Sequence, residues 1–160
     1  MKKRNIISCK KCGKKTNHRP KMDAFKNGNM VCNECDSENP IRQISEEPQQ
    51  WIVLKISYEE EIIYRVFAGW RGGYLDGDRW KMNSGITRIE EDITYYYFYG
   101  YSGSCYKCRK NQYAFIDDIN LFSAYVTSTL ERIVERIKES GIGDIETLPN
   151  TTNWIELLKN

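Results

Sequence analysis

Hydrophobic residues are sparse and without period up to about residue 36, and then the texture changes. Trp51–Tyr58 and Ile62–Trp70 are rich in β-branched and aromatic residues and predict two strands, with Glu59-Glu60-Glu61 as the exposed connection. Ile86–Ile89 and Thr94–Tyr101 predict two more, joined through Glu90-Glu91-Asp92, and Cys105–Lys110 pairs back on the strand ending at Tyr101. Asp76-Gly77 and Ser102-Gly103 are turn dipeptides. The expectation is an antiparallel meander that bends strongly or closes into a small barrel. Further on, Phe122, Tyr125, Val126, Leu130, Ile133, Val134 and Ile137 recur at three- and four-residue spacing, opposite Glu131, Arg132, Glu135, Arg136 and Lys138, which predicts an amphipathic helix ended by Gly141. Ser128 with Glu131 makes a capping-box sequence, so an alternative start at Ser128 leaves Phe122–Val126 extended. Trp154 would dock a last turn over Asn153–Leu158. The fold class is therefore α+β: a module at residues 1–37, a polar linker at 38–50, and a β-rich domain at 51–160 with a C-terminal helix.

Composition narrows the class. Of 160 residues, 29% are charged and 40% hydrophobic, which is globular composition. No run approaches the ~20 apolar residues that span a bilayer. Met1-Lys2-Lys3-Arg4 is a signal-like start, but only Ile6-Ile7 follows before Ser8-Cys9, so no hydrophobic region completes it. The expectation is a cytoplasmic protein without membrane contact, in which paired cysteines point to metal before disulfide. The net charge of +2 conceals an asymmetry: residues 1–37 carry ten Lys/Arg and three acids, for +7, and the remainder sums to −5.

Cys9-Lys10-Lys11-Cys12 and Cys32-Asn33-Glu34-Cys35 are two C-x-x-C knuckles with nineteen residues between the inner cysteines. That spacing suits a four-thiolate zinc site, each tight turn presenting two sulfurs. A segment this short with almost no apolar core needs a metal to fold, and Gly13 suits the turn leaving the first knuckle. A redox dithiol or an iron–sulfur cluster is the alternative use of the same cysteines. On these four cysteines and Gly13, residues 7–37 resemble the zinc ribbon family. The resemblance implies zinc and a small β fold; the family serves nucleic-acid binding and protein docking alike, so it implies no activity.

His18, the one histidine, is a spare ligand or a hairpin residue; four cysteines already fill a tetrahedral site, which favours the hairpin residue. Lys10, Lys11, Lys14, Lys15 and Arg19 surround the cysteines more densely than offsetting a thiolate site requires, and are candidate phosphate contacts. Cys105 and Cys108 lack further Cys or His partners, and residues three apart on a strand point to opposite faces, so they read as buried thiols rather than metal ligands. Tyr95, Tyr97, Tyr99 and Tyr101 line one face of a strand and Tyr96 and Phe98 the other, giving one core face and a ladder, stacking platform or interface. Arg71, Trp80, Tyr97, Tyr99 and Tyr106 are candidates for an interaction surface. The glycine-rich turns between Gly69 and Tyr106 match no phosphate-loop pattern, and this stretch resembles a domain of uncharacterised bacterial and phage proteins, which implies no activity.

No base stands with a nucleophile in any recognisable pattern, so the sequence offers no case for an enzyme. Two readings remain. One is a zinc-binding regulatory protein whose basic ribbon contacts nucleic acid. The other is a protein-binding module or inhibitor, such as a mobile element carries, that docks a protein target through its aromatic β domain, with an acidic protein surface as the ribbon's possible partner.

Overall fold

The computed structural model describes residues 6–8, 13, 15–20, 29–32, 38–40 and 43–159, the strands before residue 43 through their backbone alone. The chain divides into two compact units, Met1–Gln43 and Ile44–Asn160.

The first unit holds a four-stranded antiparallel sheet in sequence order: β1 (Ile6–Ser8), β2 (Lys15–Pro20), β3 (Asn29–Cys32) and β4 (Glu38–Pro40). Ser8 stands opposite Lys15, His18 opposite Cys32, and Val31 opposite Glu38.

The second unit is three layers. Its central sheet has the order β13-β5-β6-β7, from β5 (Gln50–Tyr58), β6 (Glu61–Trp70), β7 (Arg79–Met82) and β13 (Gly143–Thr147), all antiparallel. A three-stranded sheet, β8 (Ile86–Glu91), β9 (Tyr95–Gly100) and β10 (Cys105–Arg109), covers one face. Helix α2 (Ala124–Glu139) covers the other; α1 is the single turn Gly73–Asp76, and β11 (Phe115–Ile116) with β12 (Ile119–Asn120) is a small hairpin. The run Trp51-Ile52-Val53-Leu54 is apolar at every position because β5 is buried on both faces. Trp51 packs its ring against Tyr96, Phe98, Tyr113 and Trp154, while Phe67, opposite Ile52, meets Trp80 and Phe122 on the helix side.

The polar stretch 38–50 divides between the units. Glu38–Pro40 is β4, whereas Ser45 and Glu46 donate their backbone N–H groups to Cys105 O and Lys107 donates to Glu46 O. Residues 45–47 thus lie along the edge of the three-stranded sheet, and the chain then crosses into the central one as β5. Glu46 receives Lys81 and lies 3.9 Å from Arg79, and the Trp70 indole donates to Glu47 O. At the other crossing, Asn83 closes β7: its N–H donates to Val66 O at 3.1 Å and its Oδ1 accepts from Val66 N at 2.8 Å.

The helix begins earlier than the capping-box alternative allows. Ser123 is the cap, its Oγ accepting from Val126 N, while the Ser128 hydroxyl donates to Tyr125 O inside the helix. Gly69 makes the close packing possible, since a Cβ there would stand 2.9 Å from the Phe122 ring and 3.2 Å from Val126. No helix among the described residues is long and apolar enough to cross a membrane.

Candidate functional site

Cys9, Cys12, Lys10, Lys11, Lys14 and Cys35 lie outside the described residues. What the backbone places is their neighbourhood. Ser8 and Lys15 end the paired segment of β1 and β2, and Cys32 and Glu38 bound the connection from β3 to β4. Antiparallel pairing sends both connections off in the same direction, with Ser8 and Lys15 paired at the start of β2 and Cys32 three residues further along it, opposite His18. Cys32 is the last residue of β3, with His18 as its cross-strand neighbour. Gly13 stands at φ +71°, in the left-handed region that favours glycine. Lys15 and Arg19 are both residues of β2. Among the described residues no group of three or more His, Cys, Asp or Glu is arranged to hold a metal.

In the second unit, strand alternation settles the two remaining cysteines. Cys108 opposes Tyr96 and faces the core, and Cys105 opposes Tyr99 on the outer face; both are buried and neither is in a disulfide. Burial pushes the Cys108 thiol well above its ordinary range, and the nearby Cys105 and Glu47 add to this. Such a thiol is protonated at neutral pH and is a poor nucleophile and a poor ligand.

The five candidates for an interaction surface do not form one. Tyr106 faces inward beside Cys108, opposite Phe98, so it belongs to the core; burial, with Glu46 and Cys108 nearby, raises its phenol. Tyr97 and Tyr99 lie on the outer face of the three-stranded sheet, Tyr97 buried and donating to Asp92 Oδ2 at 2.7 Å, Tyr99 donating to Glu90 Oε2 at 3.2 Å. The rings on this face are covered by the chain's own cations: Arg88 is 4.0 Å over the Tyr99 ring and Lys107 is 4.2 Å over Tyr95. That face therefore presents charge rather than the bare rings a base-stacking platform requires. Trp80 stacks on Phe67 at 5.5 Å on the helix side of the central sheet, and Arg71 donates to Leu121 O at 3.1 Å.

Three features escaped the sequence reading. One is a cavity of about 110 Å³ walled by Trp51, Tyr96, Tyr113 and Trp154, with Lys110 and Asn150 at its polar side. Another is a groove of about 520 Å³ between α2 and β13, floored by Phe115, Leu130 and Val134 and rimmed by Glu131, Glu135, Lys138 and Glu139. The third is the loop around α1, which holds Tyr74 and Leu75 wholly in solvent. Only the last had a visible signal: two large apolar residues between glycines in Gly72-Gly73-Tyr74-Leu75-Asp76-Gly77.

No protein-family model, curated protein or solved structure matches the chain, so its function is argued from its own residues.

Proposed function

We propose that the first unit folds around one zinc ion held by Cys9, Cys12, Cys32 and Cys35, and that this basic unit contacts the phosphates of nucleic acid in a regulatory, non-enzymatic protein. The observation that carries the reading is the common direction of two connections in the four-stranded sheet. The β1–β2 and β3–β4 connections leave the same way, three residues apart along β2, and each holds one C-x-x-C pair, the second beginning on the last residue of β3. A closed four-thiolate site needs two such pairs directed to the same side. Zinc when bound supplies folding free energy and no open coordination position, so the site is structural.

The surrounding cations then gain a purpose. Four thiolates on zinc leave a local charge of about −2, which two or three lysines offset, while Lys10, Lys11, Lys14, Lys15 and Arg19 make five near the knuckles. The excess, within a segment of net charge +7, attracts a polyanion that the −5 remainder repels. The expected binding is sequence-independent and dominated by counterion release.

Binding to a random-sequence duplex oligonucleotide, followed by fluorescence anisotropy at several salt concentrations, tests this. Replacing Lys10, Lys11, Lys14 and Lys15 with Ala should weaken binding, with zinc content unchanged. The salt slope should fall by about 0.9 log unit for each phosphate that is no longer neutralised. An unaltered affinity and slope would exclude nucleic acid as the partner of this surface and leave protein docking as the better reading.

A further inference from the structure

β10 is an edge strand of the three-stranded sheet, and residues 45–47 form a strap along that edge. Ser45 N–H donates to Cys105 O at 2.9 Å, and Glu46 N–H reaches the same oxygen at 3.3 Å. Lys107 N–H donates to Glu46 O at 2.9 Å, and Cys105 N–H donates to Ser45 Oγ at 3.0 Å. Glu46 stands beside Tyr106 in parallel register. A bare strand edge is a template for pairing with another chain, and here the chain's own segment occupies it.

Charge holds the strap at the same place. The Glu46 carboxylate receives Lys81 and lies 3.9 Å from Arg79, while Glu47 lies 3.8 Å from Lys107. Three cations thus meet a strap that supplies two acids. Apolar burial adds little, because among residues 43–49 Pro48 alone is buried, at the hinge into β5. The hinge itself is pinned: the Trp70 indole donates to Glu47 O, and Gln49 N–H donates to Gly69 O at 3.2 Å. A segment held by a few backbone bonds and part-exposed ion pairs belongs to the low end of local stability. Residues 44–46 can therefore lift while the hinge and the core stay in place. The strap also begins where the first unit ends, at Gln43, so lifting it breaks no connection within the second.

We propose that the strap is a displaceable occupant of a strand-addition site on β10, and that the site takes an extended segment of a partner protein carrying two adjacent acidic residues. Backbone bonds to Cys105 and Lys107 serve any extended chain, and Arg79, Lys81 and Lys107 select for acids. The strap is then an autoinhibitory contact. Tethered beside its site, it acts at an effective concentration of about millimolar, which a partner must outcompete.

Amide exchange and NMR on the full-length protein test both halves. In wild type the Lys107 amide should exchange roughly tenfold or more faster than those of β5, because it opens with the strap and not with the core. Glu46→Lys sets a cation against Lys81 and Arg79 and should speed Lys107 exchange further, with β5 still protected. A synthetic peptide of residues 43–50, at millimolar concentration, should shift the Lys107 resonance of that variant and restore its protection. The same peptide carrying Glu46→Lys should do neither. Thermal melts check that the variant is folded, and Glu46→Gln, which removes the attraction without adding repulsion, serves as the milder comparison. Lys107 exchange that matches β5 in wild type and variants alike would mean that the strap opens only with the whole unit, and overturns the proposal. A peptide that leaves Lys107 unmoved, or a charge-reversed peptide that works as well, overturns it too.

Discussion

Single residues decide where this chain changes direction. Asn83 is only 2% exposed, and its amide oxygen takes the place of a strand partner for Val66 N at the point where the central sheet ends. Asn83→Ala strands that buried N–H without an acceptor and should cost about 1–3 kcal/mol in urea unfolding, with little change in slope. Cys108 makes a second prediction. Its thiol keeps its proton in the folded state to higher pH than in the unfolded chain, because burial disfavours the thiolate. The stability this gives is complete below the unfolded thiol's ordinary pKa of about 8.5 and is lost as pH rises through the raised folded value. Alkylation read by mass spectrometry at about pH 8 should leave Cys108 unlabelled in native protein and label it fully in urea. Rapid labelling without denaturant would contradict its placement in the core. The two residues differ in how far their sequence context foretold them. Asn83 lies in the turn-rich stretch between Gly69 and Tyr106, and only the sheet crossing gives its amide a buried partner. The separation of Cys105 from Cys108, by contrast, followed from strand alternation alone.

Among elements, the legible ones were those whose periodicity one face imposes. β5, β6, β8, β9 and β10 fall close to their expected limits, because branched and aromatic runs bounded by turns leave little choice. β7 was lost among glycines and aspartates although Trp80 and Met82 alternate with Arg79 and Lys81; so short a strand does not let the pattern stand out. β13 has a single buried apolar residue, Ile145, and gave no signal at all. The α2 start was obscured by two competing serines. Ser123→Ala should destabilise the protein by about 1 kcal/mol, whereas Ser128→Ala, inside the helix, should cost about 0.5 kcal/mol at most, both read from urea unfolding midpoints. The same element rests on Gly69, whose replacement by Val would drive a side chain into Phe122 and should cost about 1–3 kcal/mol through displacement of the helix.

At the scale of the whole molecule, the chain is two units with opposite charge and different reasons to fold. The second has an apolar core from Trp51 to Trp154, so a fragment of residues 44–160 should melt cooperatively without metal. Starting instead at Trp51 removes the backbone bonds of residues 45–47 to β10 and the carboxylate that holds Lys81, and should lower the melting temperature. That dependence was hidden in the sequence because residues 44–50 are polar and pair by backbone alone. The first unit has no comparable run of apolar residues, and its fold is ascribed to metal. Whether zinc holds it together is decided by metal content per chain, measured by inductively coupled plasma mass spectrometry on purified full-length protein and on Cys32→Ser. One zinc per wild-type chain is expected, with a clear loss in Cys32→Ser and none in Cys105→Ala/Cys108→Ala. Wild type free of zinc, or a Cys32→Ser variant that retains it in full, would show that the four cysteines do not build the metal site on which this fold depends.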